Sequence, residues 1–164
     1  MSGHRLLVAG IGNVFFGDDG FGVEVVRRLG ARTQPDDVRV VDFGIRGFDL
    51  AYALLDGYDA AVLVDATPRG GAPGTLYVIE PGMATQPAVL GDTHGVEPRE
   101  VLELVRAMDG RLPVLRIVGC EPAVVPEDGE MSMGLSAAVA SAIEGAVDLV
   151  ESLVAELRGR PRHA

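Results

Sequence analysis

The sequence contains a single cysteine, Cys120, and no tract of the roughly 18 apolar residues that a membrane span requires. One cysteine excludes an internal disulfide and agrees with a reducing compartment. The N-terminal residues also lack the charged region, apolar core and cleavage site of a secretion signal. We therefore expect a cytoplasmic protein without a membrane-spanning helix.

Basic residues are in deficit, with 14 Lys and Arg against 24 Asp and Glu, giving a net charge of -10. Nucleic acids and anionic membranes attract basic surfaces, so neither is an expected partner. With 164 residues, of which 48% are hydrophobic, the chain is long enough to bury one core. We expect a single domain over residues 1–164, with residues 158–164 as a flexible basic tail.

Runs typical of strands alternate with runs typical of helices along the chain. Strands are predicted at residues 5–10, 38–43, 60–64, 75–80 and 114–119, and helices at 20–29, 48–55, from Pro98, and after a capping Ser136. In the first helix, Val23, Val26 and Leu29 are predicted to share one side. This alternation predicts a three-layer α/β sandwich of the phosphorylase/hydrolase-like kind. Its twisted, mostly parallel, five-stranded sheet would have helices on both faces.

The first strand ends in a glycine-rich turn that carries two acids. Gly10 and Gly12 permit a tight turn after a strand, as in dinucleotide-binding loops. However, Phe15 stands where the third glycine of that motif is required. Asp18 and Asp19 lie where the next helix begins and would repel a phosphate. The turn therefore favours a cation or a polar reaction centre over a nucleotide.

Three side chains are predicted to meet at the carboxyl edge of the sheet. Asp19 follows the first strand, Asp65 ends the third, and His94 lies in a loop that leads into a helix. Ligands of open parallel sheets bind at this edge. Two carboxylates and an imidazole suit a divalent ion such as nickel, zinc, cobalt or manganese, with positions left open for a substrate.

Each of these residues also has a purely structural interpretation. Asp18 or Asp19 can cap the following helix, and Asp65 can accept a hydrogen bond from the turn that follows it. His94 alone is typical of a surface histidine. It gains weight because the other histidines, His4 and His163, lie in the terminal segments.

Other catalytic arrangements find less support in the sequence. Cys120 also ends a strand at the same edge, where it can form a nucleophilic pair with His94. No third orienting residue is evident, and packing explains a free cysteine better. The sequence contains neither a Gly-x-Ser-x-Gly elbow nor a His-Glu-x-x-His helix, which argues against serine hydrolases and ordinary zinc proteases.

An ordered set of motifs spans the chain from Arg5 to about Leu157. It consists of Gly10-Ile11-Gly12-Asn13, Gly17-Asp18-Asp19-Gly20-x-Gly22, Asp65-Ala66, Pro73-Gly74-Thr75, Thr93-His94-Gly95, Gly119-Cys120-Glu121-Pro122 and Gly134-Leu135-Ser136. In order and spacing, this set resembles the [NiFe]-hydrogenase maturation endopeptidases.

The resemblance implies a cytoplasmic, monomeric protease, metal-dependent or classed as aspartic-type, that uses no nucleotide. Such an endopeptidase removes the C-terminal extension of the hydrogenase large-subunit precursor after nickel insertion. The family's metal-contacting and catalytic positions correspond to Asp19, Asp65 and His94, and the nickel is supplied by the precursor. Some relatives carry glutamate at the first position, so the shorter Asp19 requires a closer approach of the ion.

The segment from Asp42 to Gly47 differs from the threonine-containing form of some relatives. This difference makes Gly44, Arg46 and Gly47 candidate contacts for the substrate tail. Two other functions remain open at this point. A nickel carrier would use the same ligands without cutting a peptide bond, whereas a flavodoxin-like module would bind a nucleotide.

Overall fold

A computed structural model describes residues 4–81, 97–108, 110–123 and 133–160 of the chain. The strands are β1 (Leu6–Ile11), β2 (Val38–Gly44), β3 (Ala60–Ala66), β4 (Leu76–Ile79) and β5 (Val114–Cys120). The helices are α1 (Phe21–Gly30), α2 (Gly47–Leu54), α3 (Pro98–Ala107) and α4 (Ala137–Arg158), and a short 3-10 helix, Gly17–Gly20, precedes α1.

The five strands form one sheet in the order β2-β1-β3-β5-β4. The pairs β1–β2, β1–β3 and β3–β5 are parallel, whereas β4 pairs with β5 in the antiparallel sense at the edge. The predicted mostly parallel α/β sheet is therefore confirmed. Its last two strands differ from the 2-1-3-4-5 order of flavodoxin-like sheets.

Helices cover both faces of the sheet. Helices α1 and α4 pack on one face and bury residues such as Phe21 and Ile143, whereas α2 and α3 pack on the other and bury Leu50 and Val105. All six residues of β1 are buried. Near-continuous apolar strands of this kind are expected where both faces of a parallel sheet are covered.

The predicted helix boundaries need small corrections. Because the 3-10 helix takes up residues 17–20, α1 begins at Phe21, and its buried side includes Val25 where the sequence predicted Val23. The predicted cap of α4 is confirmed, since the Ser136 side chain accepts a hydrogen bond from the Val139 N–H at 3.4 Å.

The predicted C-terminal tail is only partly covered by the described residues. Arg158 is the last residue of α4 and forms an ion pair with Asp37 at 3.0 Å. Residues 161–164 lie outside the described part of the chain, so the tail stays a prediction. In the described residues, no helix combines the length and the apolar character needed to cross a membrane.

The carboxyl ends of the parallel strands meet at one edge of the sheet. Gly44 of β2 pairs with Ile11 of β1, and Asp65 of β3 pairs with Gly119 of β5. The residues that follow these strands are therefore neighbours. This edge is the place where the crevice rule for open α/β sheets locates a ligand.

Candidate functional site

The turn after β1 has a backbone shape that only glycine adopts easily. Gly12 has a φ of 137°, and a Cβ atom there would collide with the carbonyl oxygen of Asp19. Gly22 is equally constrained, because a Cβ there would collide with the carbonyl oxygens of Ile11 and Val64. These close approaches bring the start of α1 and the preceding 3-10 helix directly against the ends of β1 and β3.

The Asp19 carboxylate is held at the exit of β1. Its Oδ2 accepts a hydrogen bond from the Asn13 N–H at 2.8 Å, and its own N–H donates to the Phe16 carbonyl at 3.2 Å. The Asn13 side chain in turn accepts from the Phe15 N–H at 2.9 Å. The turn is therefore organised by local hydrogen bonds that fix Asp19 in place.

The carboxyl group of Asp65 lies close to Asp19 and is 8% exposed. Burial raises its pKa well above the ordinary value, and the negative charge of Asp19 raises it further. The charge of Glu97 acts in the same direction, whereas the Ala66 backbone N–H lowers the pKa. An arriving cation would relieve this unfavourable negative potential.

Glu97 adds to the negative potential at Asp65 and was not predicted from the sequence. It is the N-cap residue of α3, and burial raises its pKa, with a further contribution from Glu100. Its position before Pro98 gave a helix-start signal. No sequence signal placed it within electrostatic reach of Asp65, because that depends on how α3 packs against the sheet.

The structure brings together two of the three predicted ligands. Asp19 and Asp65 lie at the same edge, whereas His94 falls outside the described residues. In residues 4–81, 97–108, 110–123 and 133–160, no three His, Cys, Asp or Glu side chains are grouped closely enough to hold a metal ion. The complete ligand set therefore stays a prediction.

Asp18 has a structural role that contrasts with its neighbour Asp19. Its buried carboxylate accepts hydrogen bonds from the Ala123 N–H at 2.8 Å, the Ser136 N–H at 2.7 Å and the Ser136 hydroxyl at 2.9 Å. These bonds join the 3-10 helix to the segment after β5 and to the start of α4. The helix-cap interpretation of Asp18 is thus replaced by a long-range brace.

Gly44, Arg46 and Gly47 lie beside the turn after β1. The Gly44 carbonyl accepts from the Gly12 N–H at 2.9 Å, and the Gly47 N–H donates to the Ile45 carbonyl at 3.0 Å. The Arg46 guanidinium donates to the carbonyl of Asp42 at 2.5 Å and to that of Phe43 at 3.3 Å. These residues border the site, and their contact with a substrate stays a prediction.

Cys120 ends β5 and Glu121 follows it, both in buried positions. Burial raises the pKa of the Cys120 thiol to about 11, with added contributions from Asp18 and Glu121, so the reactive thiolate is disfavoured. The thiol belongs to the apolar core, in agreement with the predicted packing role. Its neighbour Glu121 accepts hydrogen bonds from the Arg69 N–H, the Gly71 N–H and the Tyr77 hydroxyl, each at 2.8 Å.

A separate cavity of about 440 Å³ opens at the opposite edge of the sheet. Its lining includes His4, Asp59 and Val114 at the amino ends of the strands, together with Arg111 and Arg160. The length of β3, about 20 Å at the usual rise per residue, separates it from the carboxyl edge. This cavity is therefore distinct from the carboxylate site.

Comparison with known protein families gives an independent result. The family model described as hydrogenase maturation protease matches residues 23–153. The chain is 31% identical to the hydrogenase 2 maturation protease of Escherichia coli, covering 98% of each sequence. It is also 30% identical to the hydrogenase expression/formation protein HupD of Rhizobium leguminosarum, covering 98% of this chain and 81% of that protein.

Solved structures of similar fold agree with the sequence comparison. The hydrogenase maturating endopeptidase HybD of Escherichia coli superposes with a TM-score of 0.73 at 26% identity, covering 93% of each chain. The [NiFe] hydrogenase maturation protease HycI of Thermococcus kodakarensis gives a TM-score of 0.65 at 29% identity, covering 95% of this chain and 93% of that one. Family match and fold together establish that the chain belongs to the hydrogenase maturation protease family.

Proposed function

We propose that this protease is an endopeptidase that removes the C-terminal extension of a [NiFe]-hydrogenase large-subunit precursor after nickel has been inserted. The observation that carries the proposal is the pair of carboxylates, Asp19 and Asp65, at the carboxyl edge of the sheet. Two acids in mutual repulsion in a buried setting are suited to a cation. The similar proteins are hydrogenase maturation proteases, which supports the same process.

In the proposed reaction, the nickel ion belongs to the substrate. Carboxylate oxygens from Asp19 and Asp65 and an imidazole nitrogen from His94 form a ligand set that nickel accepts. Binding an ion that the precursor already holds fixes the adjacent peptide bond against the enzyme. The ion can then polarise the scissile carbonyl or activate water. The requirement for nickel thus restricts cleavage to precursors that have already received the metal.

Chain connectivity supports the inclusion of His94. It precedes Glu97 by three residues, and three residues span at most about 11 Å. The charge of Glu97 acts on Asp65, so Glu97 lies within electrostatic reach of that carboxyl group. His94 is therefore joined by a short length of chain to a residue whose charge reaches Asp65.

The test is mass spectrometry of a large-subunit precursor incubated with the purified protein. We expect the nickel-loaded precursor to lose one defined C-terminal segment and the nickel-free precursor to remain intact. Each of the variants Asp19→Ala, Asp65→Ala and His94→Ala should stop this cleavage. The control variant Asp36→Asn, which changes an exposed acid, should cut normally.

The outcomes separate the parts of the proposal. Equal cleavage of both precursor forms would keep the protease and remove the nickel requirement. Normal cleavage by all three alanine variants would reject the site. Binding of the loaded precursor without any change of mass would instead identify a nickel carrier.

A further inference from the structure

The large apolar side chains that are exposed to solvent are unevenly distributed over the described residues. In the described part of the chain, most of them lie in the turns after β1 and β2, at the carboxyl edge of the sheet, and on helix α2, which follows. We call four of these residues the apolar rim. The apolar rim comprises Phe15 (51% exposed), Ile45 (55%), Phe48 (67%) and Tyr52 (61%).

Backbone contacts hold the two parts of the apolar rim side by side. The Gly12 N–H donates to the Gly44 carbonyl at 2.9 Å, which joins the turn after β1 to the turn after β2. Phe15 follows the first turn and Ile45 lies in the second. The rim is therefore a feature of the fold's edge and not a set of scattered side chains.

Helix α2 presents an apolar residue on two successive turns to solvent. Phe48 and Tyr52 are four residues apart and so lie on the same side of the helix. The opposite side is already used, because Leu50, Ala51 and Leu54 are buried in the core. A short surface helix that is apolar on both sides is unusual for a monomer and marks a surface that binds another molecule.

The apolar rim borders the carboxylate site. Phe15 donates its backbone N–H to the Asn13 side chain, and the Asn13 N–H binds the Asp19 carboxylate. Any molecule that presents a peptide bond to Asp19 and Asp65 therefore passes next to the rim. An apolar surface beside such a site provides affinity through burial, in addition to that of the exposed Arg46–Asp49 ion pair.

The position of the apolar rim beside the carboxylate site indicates which molecule binds to it. A second copy bound at the rim would cover the approach to Asp19, so it would block the reaction that the site performs. Helix α4 ends elsewhere, because Leu157 and Arg160 line the cavity at the opposite edge. The protein that is cut is the molecule that must reach this edge.

We propose that the apolar rim is the docking surface for an apolar patch of the folded large-subunit precursor, beside the segment that is cut. This inference rests on the proposed function. With a net charge of -10, the enzyme is not suited to attract an acidic protein, and burial of Phe48 and Tyr52 supplies the affinity.

The test compares the Phe48→Ala/Tyr52→Ala double variant with a matched control, Val78→Ala/Met108→Ala. The control side chains are also exposed, at 47% and 36%, but belong to β4 and the end of α3. Cleavage rates are measured over a range of nickel-loaded precursor concentrations. We expect KM to rise at least about 10-fold in the double variant with kcat within about twofold, and no change in the control.

Direct binding keeps this inference separate from the proposed function. Calorimetric titration of the nickel-loaded precursor into each variant should show at least about a 10-fold weaker Kd for the double variant alone. This measurement is decisive even if the wild-type protein cuts nothing, a result that would reject only the proposed function. The exposed positions permit a second variant, Phe15→Ser, in the other part of the rim.

An unchanged Kd in both rim variants would overturn the docking surface, as would equal weakening in the control. Sedimentation of the wild-type protein alone addresses the alternative occupant. A dimer that the double variant loses would assign the rim to a second copy and overturn the inference. A monomer in both cases is the expected result.

Discussion

Asp65 and Glu121 are buried acids at the ends of neighbouring strands, and their surroundings are opposite. Glu121 accepts hydrogen bonds from two backbone N–H groups and the Tyr77 hydroxyl. Burial raises the pKa of Glu121, but the bonds from Tyr77, Arg69, Gly71 and Gly70 outweigh it and lower the pKa overall. Asp65 faces other acids, and its pKa is raised well above the ordinary value.

The difference distinguishes a structural acid from a functional one. Donors around Glu121 satisfy its charge within the protein, so its hydrogen bonds stabilise the loop before β4. Negative neighbours around Asp65 leave its charge to be compensated from outside. The same contrast separates Asp18, which braces α4, from Asp19, which faces Asp65.

The largest effect is expected at Asp65. The Asp65→Asn variant keeps the shape of the side chain but cannot supply a carboxylate to a cation. We expect cleavage of the nickel-loaded precursor to fall at least about 100-fold. Initial rates followed by mass spectrometry measure the loss, with Asp36→Asn as the matched control. A normal rate would contradict the functional interpretation of Asp65.

The Asp65→Asn variant should also be more stable than the wild type at neutral pH when no metal is present. A raised folded-state pKa means that the folded protein holds a proton that the unfolded chain has released. The stability of the wild type therefore falls as pH rises above about 4, through the folded-state pKa of Asp65. Thermal melts of both proteins from pH 4 to 8 should diverge with increasing pH. Parallel curves would contradict this account.

The next largest effect is expected from Asp18→Ala. Removal of the carboxylate leaves the part-buried N–H groups of Ala123 and Ser136 without their acceptor, which we expect to cost about 3 kcal/mol of unfolding free energy. Activity should fall less than in Asp65→Asn, by about 10-fold, because the 3-10 helix that carries Asp19 loses its brace. Urea unfolding and cleavage rates measure the two effects. A stable, inactive variant would show that Asp18 acts in the site itself.

Glu121→Gln should destabilise the protein by about 2 kcal/mol at neutral pH without affecting the cleavage site directly. The lowered pKa of Glu121 gives the sign of the pH dependence. Its stabilising contribution is present above the unfolded pKa and is lost as pH falls through the folded value. The wild type should therefore lose its advantage over the variant in acid. An advantage that grows in acid would refute the assignment.

Much of the fold could be predicted from local patterns. The apolar runs of β1 and β3 and the Ser136 cap each depend on residues close together in the sequence, and all three are confirmed. The crevice rule correctly brought Asp65 to the same edge as Asp19. These successes share one cause, which is that periodicity and chain direction determine which side and which end a residue occupies.

Long-range contacts account for what the sequence could not predict. Asp18 and Asp19 are adjacent acids, and only the return of the chain at Ala123 and Ser136 makes one of them structural. The donors that surround Glu121 come from a loop about 50 residues earlier. The electrostatic effect of Glu97 on Asp65 likewise depends on how α3 packs against the sheet, which sequence periodicity does not predict.

The smallest effect is expected from Cys120→Ala, which tests a second kind of buried titratable group at this edge. With a pKa of about 11, only about one thiol in ten thousand is ionised at pH 7, too few for a useful nucleophile. The variant removes one buried sulfur atom and should cost about 1 kcal/mol of unfolding free energy, with an unchanged cleavage rate. Complete loss of cleavage in a folded variant would restore the thiol mechanism.

Asp65 and Cys120 both have raised pKa values, so a raised pKa alone does not identify a functional group. Acids lie near both groups, and what separates them is the group itself: Asp65 and Asp19 are two carboxylates that one cation can compensate, whereas the Cys120 thiol is enclosed in the apolar core.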